Sequence, residues 1–373
     1  MTNNSVYCPM IHGGLNIDLK YGTGVNIKHC CLNTGPFINP EYAWDSENFK
    51  EIRQQNDNGK WLDSCWTCQA NERAGLASLR QGMSEQFGIQ RNLSGPLRLD
   101  LMFNTSCNLA CRSCGPRNST FWQKHLKDNN AISEIDLKPD RVEEMIAILE
   151  TLDLSNLKSV VFCGGETLLG ESYWRVADYL VNNVPNADSQ LILSFQTNGT
   201  QPIREQHYSI IERAQLVKLH ISLDGVGERF EYLRWPAKWN QVTENLTNIV
   251  ETAPVNMMFL VEETLSIFNL YYHNELVDWA KNNFSTNRLG DITNHTTHNA
   301  YGIFSLESMT NEYVEAVSGT GVDGLVPTNF VEKPDLIKQM IQGIKTEDLR
   351  RNQDWTKTFP EVAEFYSRYL SSL

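Results

Sequence analysis

Three cysteines, Cys107, Cys111 and Cys114, sit in the stretch LRLDLMFNTSCNLACRSCG with the spacing C-x3-C-x2-C. A loop of that length can wrap a cubane iron–sulfur cluster so that three thiolates hold three irons and the fourth iron has no protein ligand. An open iron can accept a small chelating molecule, and one electron passed through it can break a bond in that molecule. The alternatives are a zinc site or a simple electron-transfer cluster, each of which usually takes four protein ligands. A second set of thiols lies upstream: Cys8, Cys30 with Cys31, and Cys65-Trp66-Thr67-Cys68. Four thiolates complete a closed tetrahedral or cubane site, and one such set can be drawn here, from Cys8, Cys30, Cys65 and Cys68, with Cys31 as the substitute for Cys30.

Such loops need a scaffold, and the sequence changes character where one begins. Residues 1–95 are irregular, rich in Gly, Asn and Trp, and read as a small cross-linked module. From Leu97 onward, β-type runs (97–103, 159–163, 190–195, 217–223, 255–261) alternate with helical periodicity (141–152, 173–182, 203–214, 239–252). Strand–helix alternation predicts parallel strands joined by right-handed crossovers, closing into a full or partial barrel with ligands at the carboxyl ends of the strands. The three-cysteine loop follows the first of these strands and Gly164-Gly165-Glu166 ends the second, so both fall on one rim.

Composition removes other classes. The chain has 373 residues, 41% hydrophobic, and a net charge of −13, which disfavours extended nucleic-acid binding. The start MTNNSVYCPMIHGG has no export pattern, and no stretch approaches the roughly 18 apolar residues of a membrane span. Nine cysteines in tight local groups, without an export signal, suit metal or iron–sulfur ligation in the cytoplasm better than disulfides.

With CxxxCxxC after one strand and GGE after the next, the region resembles the radical S-adenosylmethionine (SAM) superfamily, and within it the proteins carrying SPASM or Twitch auxiliary-cluster modules. The resemblance implies a 4Fe-4S cluster on Cys107, Cys111 and Cys114 that cleaves SAM to a 5′-deoxyadenosyl radical. It implies that Gly164, Gly165 and Glu166 meet the SAM amino group. FQTNGT and HISLDG are similar to the family's strand-end loops, which assigns Ser222 and Asp224 to ribose or carboxylate contacts, with Thr197 and Asn198 beside them; a plain strand-closing turn is the other reading of ISLDG. Arg234, in YLRWP, is either a bidentate partner of the SAM carboxylate or a surface arginine. Ser113 departs from the family, which often has a bulky residue there against the adenine, so that packing is expected from Phe103 or from Met258 and Leu260.

The upstream thiols, with Gly24 before Cys30, are similar to SPASM/Twitch modules, although those usually follow the barrel. One auxiliary 4Fe-4S cluster is favoured over two, with a structural zinc as the alternative. Cys163 reads as a small buried hydrophobe, and His295 with His298 as a solvated loop. The expected architecture is α/β: a cysteine-rich auxiliary module (1–95), a partial (β/α)6 TIM-like barrel (96–285) and a mainly helical C-terminal segment (286–373). The resemblance implies hydrogen abstraction from a peptide or protein side chain, with a sugar- or aminocyclitol-like metabolite as runner-up, and a flavodoxin- or ferredoxin-like electron donor. A non-catalytic iron–sulfur or zinc protein is the reading from another class.

Overall fold

The computed structural model describes residues 6–19, 24–33, 44–73, 75, 77–134, 140–284, 293–294, 304–322, 326 and 330–371. Its strands are β1 (Gly14–Asp18), β2 (Asn26–Lys28), β3 (Arg98–Met102), β4 (Ser159–Cys163), β5 (Ile192–Thr197), β6 (Leu216–Ser222), β7 (Met257–Glu263) and β8 (Thr293–Asn294). They form one sheet in the order β2-β1-β3-β4-β5-β6-β7-β8. Every neighbouring pair is parallel except β1 with β2. The α/β partial barrel expected from the alternation is present, and β2 and β8 remain as open edges. The first 95 residues contribute β1 and β2 to this sheet, β1 lying directly against β3.

Side-chain alternation explains how the sheet is held. In β6, Val217, Leu219 and Ile221 are fully buried while Lys218, His220 and Ser222 are only partly so. The apolar face joins Leu99, Phe162, Phe195 and Phe259 to buried residues of the covering helices, such as Met145, Val176, Leu246 and Leu276. Each such side chain contributes about 1.5–3 kcal/mol. The opposite face carries the sheet's polar side chains among a few apolar ones such as Met258 and Leu260: pairing sets Asn16 beside Asp100, Ser194 beside Lys218, Gln196 beside His220 and Ser222 beside Glu262. A sheet covered by helices on one side and polar on the other is the inner wall of an open barrel.

A second apolar core belongs to the C-terminal helices. There Ile337, Met340, Ile341 and Ile344 of the Pro334–Arg351 helix pack with Trp355 and Phe359 against Tyr232, Leu265 and Phe268. Among the described residues no helix is long and apolar enough to cross a membrane.

Candidate active site

The loop after β3 is built by local capping. Asn104 Oδ1 accepts from the Ser106 amide at 2.6 Å, turning the chain as it leaves the strand. Ser119 caps the Thr120–Asp128 helix through the Trp122 amide (3.1 Å) and donates to the Leu109 carbonyl (2.6 Å). Trp122 Nε1 donates to the Cys111 carbonyl at 2.8 Å. From the other side, the amides of Ala110 and Arg112 donate to the carbonyls of Trp235 and Leu233, both at 2.8 Å. Cys111 is thus fixed on two sides and buried, Cys107 is half-buried and Cys114 is exposed.

The turn after β4 braces the same loop. The Gly165 amide donates to the Asn104 carbonyl (3.1 Å) and the Glu166 amide to the Ser106 carbonyl (2.8 Å). Gly164 has φ +142°, and a Cβ there would fall 2.3 Å from the Tyr173 hydroxyl; a Cβ on Gly165 would fall 2.1 Å from the Ser106 carbonyl oxygen. Only glycine permits these approaches. The Glu166 side chain is buried and accepts from Thr197 Oγ1 (2.7 Å) and the Leu168 (3.0 Å) and Asn198 (2.6 Å) amides, tying the β4 and β5 loops together. Asn198 Nδ2 in turn lies 3.9 Å from Cys107 Sγ.

Asp224 and Arg234 are buried and meet each other at 2.9 Å. Asp224 also accepts from Ser113 Oγ (3.3 Å) and the Thr264 amide (2.9 Å), and Arg234 Nη1 stands 4.0 Å from Cys111 Sγ. Burial works against the Arg234 charge, but Asp224 and then Cys111 outweigh it and raise its pKa. Ser222 ends β6 on the inner wall, half-buried. Of the adenine-packing candidates, Phe103 is fully buried against Tyr173 in the main core, whereas Met258 and Leu260 are half-buried on the inner wall.

Three crowded thiols beside a buried guanidinium fit an anionic iron–sulfur cluster. Burial pushes Cys107 up to about 11 and Cys111 higher still, each neighbouring thiol adding to the effect. Without a cation these thiols keep their protons; a bound cluster displaces them. Arg234 Nε is a buried donor with no acceptor among the described residues.

At the other end of the sheet, Cys8, Cys30, Cys65 and Cys68 line one enclosed pocket together with His29. Cys8 precedes the short helix that enters β1 and Cys30 follows β2, whose Lys28 pairs with Asn16, so this pocket lies at the amino ends of the parallel strands. Cys31 is exposed. Burial pushes Cys8 up to about 11 and Cys65 up to about 12, and lowers His29 to about 4. His29 Nε2 lies 3.7 Å from Cys65 Sγ, a contact whose only sequence signal is its place beside Cys30. Among the described residues no three His, Cys, Asp or Glu side chains converge on a point that could hold a single metal ion. A cubane places its thiolates on separate iron corners, so it asks for wider spacing than one zinc. His295 and His298 lie outside the described residues.

The sequence profile of the Radical SAM superfamily matches residues 101–268. No curated protein matches the chain significantly. Among solved structures, anSMEcpe with bound AdoMet and Cp18Cys peptide is 18% identical, with a TM-score of 0.38 over 61% of this chain and 59% of that one. SuiB of Streptococcus suis bound to precursor peptide SuiA is 13% identical, with a TM-score of 0.37 over 93% of this chain and 74% of that one. The profile spans β4 to β7 and the loops that gather Cys107, Cys111, Cys114, Gly165 and Arg234, and this chain carries a radical SAM domain over residues 101–268.

Proposed function

We propose that the enzyme abstracts hydrogen from a peptide or protein side chain and that a second 4Fe-4S cluster in the N-terminal thiol pocket takes part in oxidising or cross-linking the product. The observation that carries the reading is the meeting of three thiols, the diglycine turn and the Arg234–Asp224 pair at the carboxyl end of one parallel sheet. When bound, the cluster and SAM supply a 5′-deoxyadenosyl radical. Cys107, Cys111 and Cys114 would hold three irons and leave the fourth for the amino and carboxylate groups of SAM. Gly164 and Gly165 let the two rim loops close on each other, Glu166 locks the third loop to them, and Arg234 sets a fixed positive charge beside the Cys111 sulfur.

The inner wall between the two thiol groups favours a polar substrate. Lys218, His220 and Glu262 face it, with His220 Nδ1 2.5 Å from Glu262 Oε1, and charged groups of this kind hydrogen-bond amides and polar side chains. Electrons would come from a flavodoxin- or ferredoxin-like donor in the cytoplasm, a compartment that keeps free thiols reduced.

Anaerobically reconstituted protein given SAM and dithionite is expected to form 5′-deoxyadenosine, and replacing Cys107, Cys111 and Cys114 together with Ala abolishes it. Persistent cleavage in that triple variant overturns the assignment. Replacing Cys65 and Cys68 with Ala is expected to leave SAM cleavage and remove net conversion, read by mass spectrometry as loss of the two-hydrogen change in peptide. Iron and sulfide counts separate one cluster from two, and iron from zinc.

A further inference from the structure

We infer that Asp348 is a positioning residue for the cluster-binding loop, acting through Arg112, so that the Pro334–Arg351 helix belongs to the SAM-cleaving machinery. The inference rests on reading Cys107, Cys111 and Cys114 as the cluster site. Arg112 lies between two of those cysteines and is buried. Its Nη2 donates to Asp348 Oδ1 at 2.5 Å and to Gln353 Oε1 at 3.0 Å, and its guanidinium sits 3.9 Å above the Tyr232 ring. Asp348 is saturated by the same neighbourhood: Oδ1 also accepts from the Tyr232 hydroxyl at 2.7 Å, and Oδ2 from the Trp355 amide at 2.8 Å.

The same turn of helix grips the other supports of the loop. His125, on the helix that follows the cysteines, has Nε2 3.0 Å from Glu347 Oε2. Arg351 lies 4.6 Å from the Trp122 ring and 5.2 Å from that of Trp235, the two residues that bond the Cys111 carbonyl and the Ala110 amide. Glu347, Asp348 and Arg351 therefore bear on the loop from three directions.

Attachment of the C-terminal layer does not require this polar contact. Ile337, Met340, Ile341, Ile344, Trp355 and Phe359 already fasten it through an apolar core. Apolar burial is non-directional, whereas a charged pair held by two further donors and one further acceptor fixes one geometry. What the pair adds is the place of the residue next to Cys111, and hence the angle at which the loop presents its thiolates.

The test uses full-length protein carrying Asp348→Ala, Asp348→Asn or Asp348→Glu. Readouts are the change in the reduced cluster's EPR signal on adding SAM, the 5′-deoxyadenosine rate and a thermal melt. The Ala and Asn variants are expected to melt cooperatively, to lose most of the SAM-induced EPR change and to slow at least tenfold, with Glu recovering part. Arg112→Lys is expected to match them, and the double variant to be no worse than either single one. A cooperatively melting Asp348→Ala chain with the wild-type EPR response and rate overturns the inference. Should that variant fail to fold, Gln353→Ala takes its place: a weakened EPR response supports the inference, and an unchanged one overturns it. Wild-type protein that holds no iron on the three cysteines is the separate signature of failure of the cluster assignment itself.

Discussion

Glu263 ends β7 and is buried, with Oε2 2.7 Å from His273 Nδ1 and Oε1 without a hydrogen-bond partner among the described residues. Burial lifts its pKa from 4.5 to about 7, and the His273 contact only partly opposes this. A carboxyl that binds its proton more tightly when folded makes stability fall with rising pH. The cost is absent below about 4.5, grows across the interval and is complete above about 7. At about 1.4 kcal/mol per unit, it is on the order of 3 kcal/mol. Glu263→Gln, neutral throughout, is expected to gain stability over wild type at pH 8 and little at pH 5, measured by urea unfolding; parallel pH dependence in both proteins would refute it. The site's residues were legible in the sequence in proportion to how local their chemistry is. Cys107, Cys111 and Cys114 lie in one short loop, so their spacing marks them as candidate ligands. Asp224 and Arg234 were visible as rim residues, but not as each other's partner, because the turn into the Glu228–Leu233 helix brings them together. Nothing local marks Asp348 as the partner of Arg112, since only the packing of the C-terminal layer makes the pair.

Elements were legible where periodicity was long. The 239–252 pattern is the Trp239–Thr252 helix, and the predicted strand 159–163 is β4. The 190–195 run shifts to Ile192–Thr197 because Gln190 ends a short helix capped by left-handed Asn186. β1 gave no signal. GLNID is short and buried at every position, so it lacks the alternation that marks a strand, and its pairing with β3 spans more than eighty residues of chain. The diglycine turn was legible as a motif, and the structure adds a mechanical role for it as the brace of the cysteine loop. Gly165→Ala must displace the Ser106 carbonyl, which is backbone and cannot rotate away. The expected cost is about 1–3 kcal/mol of stability, together with loss of iron from the three-cysteine site beyond that seen for a Gly82→Ala control, where the position is exposed and an added Cβ meets nothing. A variant with the wild-type melt and full iron content would show that the loops separate without consequence.

For the whole molecule, the arrangement of thiol groups at opposite ends of one sheet depends on β1. Leu15, Ile17 and Leu19 are fully buried in the main core, and β1 pairs with β3 over all five residues from Gly14 to Asp18. Removing residues 1–95 therefore takes apolar area of about 1.5–3 kcal/mol per side chain from the core and leaves β3 as an exposed apolar edge, which templates aggregation. A fragment of residues 96–373 retains the whole region matched by the superfamily profile, 101–268. On grounds of sequence it is a self-sufficient barrel; on grounds of packing it is not. We expect the fragment to be insoluble or to melt without cooperativity, and co-expression with residues 1–95 to recover soluble protein. A soluble, monomeric fragment with a cooperative melt would instead make the N-terminal part a detachable module, and the shared sheet incidental to how the two thiol groups are held relative to each other.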